Sequence, residues 1–312
     1  MNTRPALEDL FEHRMTYPDP AAKERIDRLV GLDDHKSRLT KILALLVNPA
    51  GLEAWAKKHH PSADGLLDTV LRRPPLVVLA GDVGAGKSEL AESVGDAVAR
   101  QEKIDITLFP LSLSTRGHGR VGEMTQLLSA AFDYTVSEAH KLKGSSRHAR
   151  GAVILLVDEA DALAQSREAT QMHHEDRAGV NAFIRGIDRV ANSRLPAAVI
   201  MCTNRLGALD PAVRRRAADI LIFERPTAEQ RHAVLAVSLG KLGFSRSQID
   251  AVVTATGAQD GRGYGFTFSD ITQRLLPTIV LDAYSAKAVS AARALEIAQA
   301  MVPTPPFQDG AL

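Results

Sequence analysis

A short glycine-rich segment of the chain ends in a lysine and a serine, a combination suited to holding phosphate groups. It reads GDVGAGKS and a glutamate follows it, so its residues are Gly81, Asp82, Val83, Gly84, Ala85, Gly86, Lys87, Ser88 and Glu89. Glycines let backbone N–H groups approach phosphate oxygens, a lysine adds positive charge, and a serine hydroxyl can ligate Mg²⁺. An apolar run precedes the segment and an amphipathic helical pattern follows it, as a P-loop requires. The segment therefore predicts a site for nucleotide phosphates.

Two further apolar runs end in polar residues that suit hydrolysis. The run ILLVDEAD places Asp158 and Glu159 after a predicted buried strand, and the run IMCTNR ends near Asn204. Parallel strands end at one edge of a sheet, so we predict that Asp158 shares a Mg²⁺ ion with Ser88. Glu159 is then the predicted general base for the attacking water, and Asn204 holds that water or the γ-phosphate.

Buried strands that alternate with helices must position these residues. Apolar runs at 76–80, 152–157 and 197–202, with a weaker one at 220–223, are separated by helical patterns. This alternation favours a parallel α/β sheet with right-handed crossovers. After Pro226 no buried strand is visible, so the sequence predicts a helical domain there, with Thr227 capping its first helix.

The composition is that of an ordinary globular protein, and it gives no sign of nucleic-acid, disulfide, metal or membrane chemistry. The 312 residues are 45% hydrophobic and 24% charged, as in ordinary globular domains, and a net charge of +1 with 4% aromatics does not favour nucleic acid. Cys202 has no disulfide partner, and the pairs at 59–60 and 173–174 are histidines without metal-ligand spacing. No secretion signal is visible, and no apolar run approaches the ~20 residues of a membrane helix. We expect a cytoplasmic protein without a membrane partner.

The order of the motifs resembles that of the AAA+ ATPases: P-loop, acidic strand, asparagine strand, arginine segment and helical lid. The resemblance implies an α/β fold, a P-loop NTPase (AAA+) core with a parallel five-stranded sheet and a small all-helical C-terminal lid. It implies a homo-hexameric ring with ATP and Mg²⁺ as cofactors. The implied domains are an N-terminal extension over 1–25, the large domain over 26–225, the lid over 226–301 and a flexible tail over 302–312.

The same resemblance implies roles for further residues. Val30 and Gly31 match the pair that contacts adenine. A run of arginines at 214–216 is usually a solvated face, but it also suits a finger that acts on the nucleotide of a neighbouring subunit. Counting forward from the preceding aspartate indicates Arg215, and counting back from the following one indicates Arg216.

Two positions depart from the family pattern. The first pore loop aligns with Gly119, Arg120 and Val121, where related proteins carry an aromatic residue that grips substrate. In the lid, Ser269 stands where related remodellers carry an arginine that senses the γ-phosphate, and Arg274 is the candidate replacement.

Within the superfamily the chain is similar to the pachytene-checkpoint type of remodeller, which acts on HORMA-domain proteins, through its segments 180–190, 216–219 and 274–284. Its compact length resembles the bacterial form encoded in CBASS anti-phage operons. This implies that the ring unfolds or converts a HORMA-domain partner, free or bound to a cyclic-oligonucleotide synthase, a nucleotidyltransferase. Two alternatives stay open: a DNA-associated ATPase of the initiator or transposition type, supported by the basic segment 141–150, and a remodeller of another protein.

Overall fold

The computed structural model describes residues 10–11, 13–62, 64–113, 122–144, 149–164, 174–205, 207 and 209–307. The chain divides into two compact units. Unit 1 comprises Met1–Arg28, Asp34–Ala80 and Ser88–Ile222, and unit 2 comprises Leu29–Asp33, Gly81–Lys87 and Phe223–Leu312. The P-loop therefore groups with the C-terminal part of the chain, a division finer than the domain boundaries predicted from the sequence, which stay a prediction.

A six-stranded sheet forms the centre of unit 1. Its strands are β1 (Met15–Tyr17), β2 (Leu76–Gly81), β3 (Asp105–Ser112), β4 (Gly151–Asp158), β5 (Ala197–Thr203) and β6 (Ala217–Phe223). The order across the sheet is β1-β3-β4-β5-β2-β6, in which β3, β4, β5 and β2 run parallel. Every residue of β5, and every residue of β4 except the last, is buried, as expected for parallel strands covered on both faces.

The sheet has one strand more than the five predicted. The additional strand is β1, which runs antiparallel along β3 and pairs with Ile106, Thr107 and Leu108. With only three residues, β1 shows no periodicity that a sequence pattern could reveal. Pro110 lies farther along β3, past the residues that β1 pairs with. A proline has no N–H to donate, so it is tolerated where one side of a strand is unpaired.

Helices surround this sheet. They are α1 (Pro20–Arg28), α2 (Asp33–Val47), α3 (Pro49–His59), α4 (Asp64–Leu71), α5 (Lys87–Glu102), α6 (Glu123–Leu142), α7 (Asp161–Ala164), α8 (His174–Ser193) and α9 (Pro211–Arg214). Helices α6 and α8 pack together through the rings of Phe132 and Phe183, whose centroids lie 5.8 Å apart in an edge-to-face arrangement. Both rings are fully buried in the core of the unit.

The N-terminal strand is fastened to the helix that follows the P-loop. The Tyr17 hydroxyl donates a hydrogen bond to the Glu92 carbonyl oxygen, and the Asp19 N–H donates to the Asp96 carboxylate at 2.7 Å. A Cβ at position 95 would lie 2.4 Å from the Tyr17 ring, so only Gly95 leaves room for this contact. Burial raises the pKa of Tyr17 above its ordinary value, which keeps the hydroxyl protonated as a donor.

Unit 2 contains the predicted helical lid. Its helices are α10 (Ala228–Leu239), α11 (Arg246–Ala255), a π-helical turn (Asp270–Leu275), α12 (Leu276–Ala283) and α13 (Ala291–Ala300). Thr227 caps α10 as predicted, and Gln230 completes the capping box. The sequence did not indicate α11. The lid helices enclose their own core, with Phe266, Ile271 and Leu275 fully buried.

The chain beyond α13 makes specific contacts with the lid. The N–H and the hydroxyl of Thr304 both donate to the Asp270 carboxylate, at 3.0 and 2.7 Å. The flexible tail over 302–312 stays a prediction; within it, Thr304 has a buried acceptor in Asp270. Among the described residues, no helix is both long and apolar enough to cross a membrane.

Candidate functional site

Three strands of the sheet end side by side. The register aligns Val157 of β4 with Met201 of β5, and Thr203 of β5 with Ala80 of β2. The polar residues predicted to take part in hydrolysis therefore follow neighbouring strands at one edge of the sheet, and the P-loop continues directly from β2 in the chain. This is the arrangement that the sequence pattern requires of parallel strands.

The P-loop backbone depends on its glycines. Gly81 and Gly84 have φ values of 143° and 71°, where L side chains are strained. A Cβ at position 81 would lie 2.0 Å from the carbonyl oxygen of Phe223, and one at position 84 would lie 2.8 Å from the Thr267 hydroxyl. The Gly84 carbonyl also accepts the N–H of Ser269 at 3.1 Å. The loop thus follows a path, packed closely against residues 223 and 267, that a side chain at position 81 or 84 would obstruct.

Lys87 is drawn into this loop. Its side chain is only 7% exposed, and its ammonium donates to the carbonyl oxygens of Gly81 and Asp82 at 3.0 and 2.7 Å. Lys87 is also the first residue of α5, and Ser88 and Glu89 follow in its first turn. A helix N-terminus beside an ammonium and a glycine-lined loop is a fitting environment for a polyphosphate.

An ion pair that the sequence did not reveal holds the second residue of the loop. Arg225 donates through Nε to the Asp82 carboxylate at 2.5 Å, and the two side chains are only 13% and 16% exposed. Arg225 also donates to the Gly265 carbonyl at 2.6 Å and lies 4.9 Å from the centroid of the Tyr264 ring. The two partners are 143 positions apart, so no sequence spacing indicates the pair.

The acidic residues of unit 1 lie in a crowded electrostatic environment. The Asp158 carboxylate accepts the N–H of Glu159 at 2.8 Å, and Glu159 itself has a φ of 52°. Such a value is uncommon for a residue with a side chain, and strained residues gather at functional sites. Nearby, burial raises the pKa of Glu92; Glu89 and Asp158 raise it further, while Arg25 opposes the shift.

Arg25, on helix α1, places a positively charged side chain beside these carboxylates. Its guanidinium lies 3.9 Å from the Glu89 carboxylate and 3.7 Å from that of Glu92. Glu89 was among the residues predicted to hold the nucleotide, whereas Arg25 and Glu92 were not identified from the sequence. Their contact could not be inferred, because α1 and α5 are far apart in the chain and neither residue belongs to a motif.

Asn204 is held by a neighbouring carboxylate. Its side-chain amide donates to Asp161 Oδ2 at 3.0 Å, and its backbone N–H donates to Asp161 Oδ1 at 2.6 Å. Asp161 begins α7, just after the predicted metal ligand Asp158 and the predicted general base Glu159. The sequence analysis identified Asn204 but not Asp161. Asp161 could have been identified as a candidate, because it is the last residue of the acidic segment DEAD.

The two candidate finger arginines have different surroundings. Arg216 forms a two-pronged pair with Asp188, with bonds of 2.7 and 2.9 Å, and donates to the Ala212 carbonyl at 3.1 Å. The hydrogen bond to Asp188 raises the pKa of Arg216. Arg215, by contrast, is exposed to solvent. Arg216 is thus hydrogen-bonded to residues of its own subunit.

The adenine-contact pair, the lid candidate and the pore loop are the remaining predicted residues. The Gly31 carbonyl, next to Val30, accepts a bond from the Gln230 side chain at 2.6 Å. Arg274 pairs with Asp270 at 2.7 Å and donates to the Val302 carbonyl at 3.1 Å, so these bonds lie within the lid and tail. The pore-loop residues Gly119, Arg120 and Val121 lie outside the described residues.

A parallel sheet with a glycine loop after one strand and a carboxylate pair after another defines a P-loop nucleotide-binding fold. The chain belongs to the AAA family, the ATPase family associated with various cellular activities, whose model matches residues 77–225. This confirms the family expected from the sequence.

Similar proteins include CD-NTase-associated protein 6 of Escherichia coli (strain MS 115-1), which is 66% identical over 309 residues, or 99% of each chain. A chain in the solved HORMA:CdnC:Trip13 complex of E. coli MS115-1 is 65% identical, with a TM-score of 0.90 over 98% of this chain and 100% of that one. The structure of Rhizobiales Trip13 is 60% identical, with a TM-score of 0.75 over 95% of this chain and all of its own.

Proposed function

We propose that the chain is an ATPase that couples ATP hydrolysis to remodelling of a HORMA-domain protein. The observation that carries this proposal is the 66% identity, over 99% of both chains, to a CD-NTase-associated protein. A chain 65% identical to this one is part of a complex with HORMA and CdnC proteins. The partner proposed here is therefore a HORMA-domain protein, alone or bound to a cyclic-oligonucleotide synthase.

The chain's own groups supply the chemistry. The P-loop amides and Lys87 hold the phosphates, and Val30 and Gly31 contact the adenine. Ser88 and Asp158 would hold Mg²⁺, which would supply positive charge against the phosphate oxygens. A hydroxyl and one carboxylate suit Mg²⁺, which usually takes its other ligands from substrate phosphates and water.

Hydrolysis needs a water molecule that is positioned and deprotonated. Glu159 accepts a proton from that water and Asn204 orients it, while the finger, Arg215 or Arg216 of a neighbouring subunit, stabilises the charge on the transferred phosphoryl group. The ring is a homo-hexamer in the cytoplasm. Its pore loops, including Gly119, Arg120 and Val121, pull on the partner and so separate it from the nucleotidyltransferase, which lowers synthase activity.

The variant Glu159→Gln tests this proposal. Loss of a general base lowers turnover by about 10²- to 10⁴-fold, while Mg-ATP binding is retained because the P-loop is unchanged. The variant should then retain the HORMA-domain protein in an ATP-dependent complex, measured by gel filtration with purified components. The matched control is Glu229→Gln, an exposed glutamate at the start of α10, which should leave turnover unchanged.

Three outcomes would contradict the proposal. Unchanged ATP turnover in Glu159→Gln would remove the assigned base. Retention of a different protein, with no binding of the HORMA partner, would support a remodeller of another protein. Stimulation of wild-type turnover by duplex DNA, falling steeply with salt, would support the DNA-associated alternative.

A further inference from the structure

Three hydrogen-bond donors at the end of β5 converge on the carboxylate of Asp161. The Thr203 hydroxyl and the Asn204 backbone N–H donate to Oδ1 at 2.8 and 2.6 Å, and the Asn204 side-chain Nδ2 donates to Oδ2 at 3.0 Å. Thr203 is 1% exposed, so this contact is part of the packed edge of the sheet. Both carboxylate oxygens are therefore committed to the residues that end one strand.

The carboxylate determines which way the Asn204 amide points. An ionised aspartate only accepts hydrogen bonds, whereas an asparagine amide has an NH₂ group that donates and a carbonyl oxygen that accepts. Only the NH₂ end can face Asp161, so the carbonyl oxygen of Asn204 faces away from it. The orientation follows from the chemistry of the pair and does not depend on telling nitrogen from oxygen by position.

We propose that Asp161 is a positioning residue that makes Asn204 present its carbonyl oxygen, rather than its NH₂ group, to the water that attacks ATP. This inference rests on the proposed function. It adds the reason why the Asn204 amide points in the direction that hydrolysis needs.

The orientation matters because of how the water must react. One hydrogen of the water goes to Glu159 and the second donates to the Asn204 carbonyl oxygen, which leaves an oxygen lone pair free to form the bond to the γ-phosphorus. The bond from that phosphorus to the bridging oxygen breaks, and its electron pair leaves with ADP. An NH₂ group in the same place would donate to the lone pair and compete with the attack.

The variant Asp161→Asn should reverse the direction of the Asn204 side-chain amide while keeping the other hydrogen bonds at this position. The introduced side chain accepts from Thr203 and from the Asn204 N–H through its carbonyl oxygen, and its NH₂ group then faces the Asn204 side chain. Two NH₂ groups cannot bond to each other, so the Asn204 amide rotates and directs its NH₂ group toward the water. We expect kcat to fall by about 10- to 100-fold, with the dissociation constant of a fluorescent ATP analogue and the thermal midpoint close to those of the wild type.

The matched control is Thr203→Val. It removes one donor to Asp161, and with it the acceptor of the Arg205 N–H, but leaves the bond that orients the amide. It should lower the thermal midpoint and keep kcat within about threefold of the wild type, because only a change of amide direction affects the water.

A double-mutant cycle with Asn204→Ala separates positioning from general damage. If Asp161 acts through Asn204, adding Asp161→Asn to Asn204→Ala causes no further loss of kcat. The swapped variant Asp161→Asn/Asn204→Asp restores a donor opposite an acceptor and again presents an acceptor oxygen. It should hydrolyse ATP faster than Asn204→Ala, and it serves as the test if Asp161→Asn alone does not fold.

The inference is overturned by any of three results: wild-type kcat in Asp161→Asn, additive losses in the cycle, or a swapped variant no faster than Asn204→Ala. These results differ from failure of the proposed function. If Glu159→Gln turns over like the wild type, the hydrolytic assignment fails as a whole; if Glu159→Gln and Asn204→Ala are both slow and Asp161→Asn is not, only the role of Asp161 fails.

Discussion

Arg225 and Asp82 form a nearly buried ion pair that joins the residues after β6 to the P-loop. The 2.5 Å bond from Arg225 Nε uses one carboxylate oxygen of Asp82, and the other accepts the N–H of Val83 at 2.8 Å. The carboxylate thus organises the loop backbone while the guanidinium neutralises it. The shape of the phosphate-binding loop consequently depends on a residue that contributes nothing to its sequence motif.

Replacing Arg225 by methionine should destabilise the protein. The Asp82 charge would remain at a site that is 16% exposed without its cationic partner, and breaking a buried pair in this way costs about 3 kcal/mol. Urea unfolding followed by circular dichroism measures the loss, and binding of a fluorescent ATP analogue should weaken because the loop loses its support. Adding Asp82→Asn should recover part of the stability, since it removes the unpaired charge; an unchanged midpoint in the single variant would contradict this account.

The surroundings of the two arginines predict different outcomes for Arg215→Ala and Arg216→Ala. Loss of a finger arginine lowers turnover by about 10³- to 10⁵-fold and leaves the thermal midpoint unchanged, which we expect for Arg215→Ala. Arg216→Ala breaks the pair with Asp188 and should lower the free energy of unfolding by about 1 to 2 kcal/mol.

A mixing experiment checks that the finger acts between subunits. Arg215→Ala subunits keep Glu159, and Glu159→Gln subunits keep Arg215, so mixed rings contain some complete sites and should regain part of the ATPase rate. No recovery on mixing would place the arginine's action within its own subunit. A stable Arg216→Ala variant without turnover, beside a fully active Arg215→Ala, would assign the finger to Arg216.

Gly84→Ala should impair the P-loop. At a φ of 71° an alanine is strained, and its Cβ would also lie 2.8 Å from the Thr267 hydroxyl and 2.9 Å from the Ser269 Cβ. The dissociation constant of a fluorescent ATP analogue should rise at least about tenfold, because ~1 to 3 kcal/mol of strain distorts the loop. Gly240→Ala is the matched control: its φ of −60° suits alanine, and its Cβ would meet no atom within 4 Å.

Asp270 should stabilise the lid in a pH-dependent way. Burial alone would raise its pKa, but the hydrogen bonds from Thr267, Thr304 and Arg274 together hold the pKa below its ordinary value. Its contribution is therefore present above the ordinary aspartate pKa of about 3.9 and is lost as the pH falls through the lower folded value.

Asp270→Asn measures that contribution. At pH 7 it should lower the stability of the lid by about 2 kcal/mol, because buried donors lose a charged acceptor. Hydrogen exchange of residues 226–307 reports the change, and thermal scans should show the difference from the wild type narrowing below pH 4. Asp282→Asn, in an exposed pair with Arg293, should change little, and a pH-independent difference for Asp270→Asn would contradict the assignment.

Local sequence patterns predicted much of this molecule, and contacts between distant segments were beyond their reach. The glycine loop, the buried strands and the Thr227 cap depend on neighbours in the chain, so their spacing revealed them. The pair of Arg225 with Asp82 and that of Arg25 with Glu89 and Glu92 arise only once the chain folds. Asp161 lies between these cases, because it sits in a recognised segment while its partner Asn204 is 43 positions away.

The short strand β1 also changes what the edge of the sheet presents to other molecules. Without it, β3 would form the outer edge of the sheet, with a row of unpaired N–H and C=O groups that could recruit a strand from another molecule. β1 occupies that edge at three positions, and Pro110 removes a donor beyond them. The edge of β3 therefore offers few unpaired groups to a strand of another molecule, which we expect to disfavour edge-to-edge association.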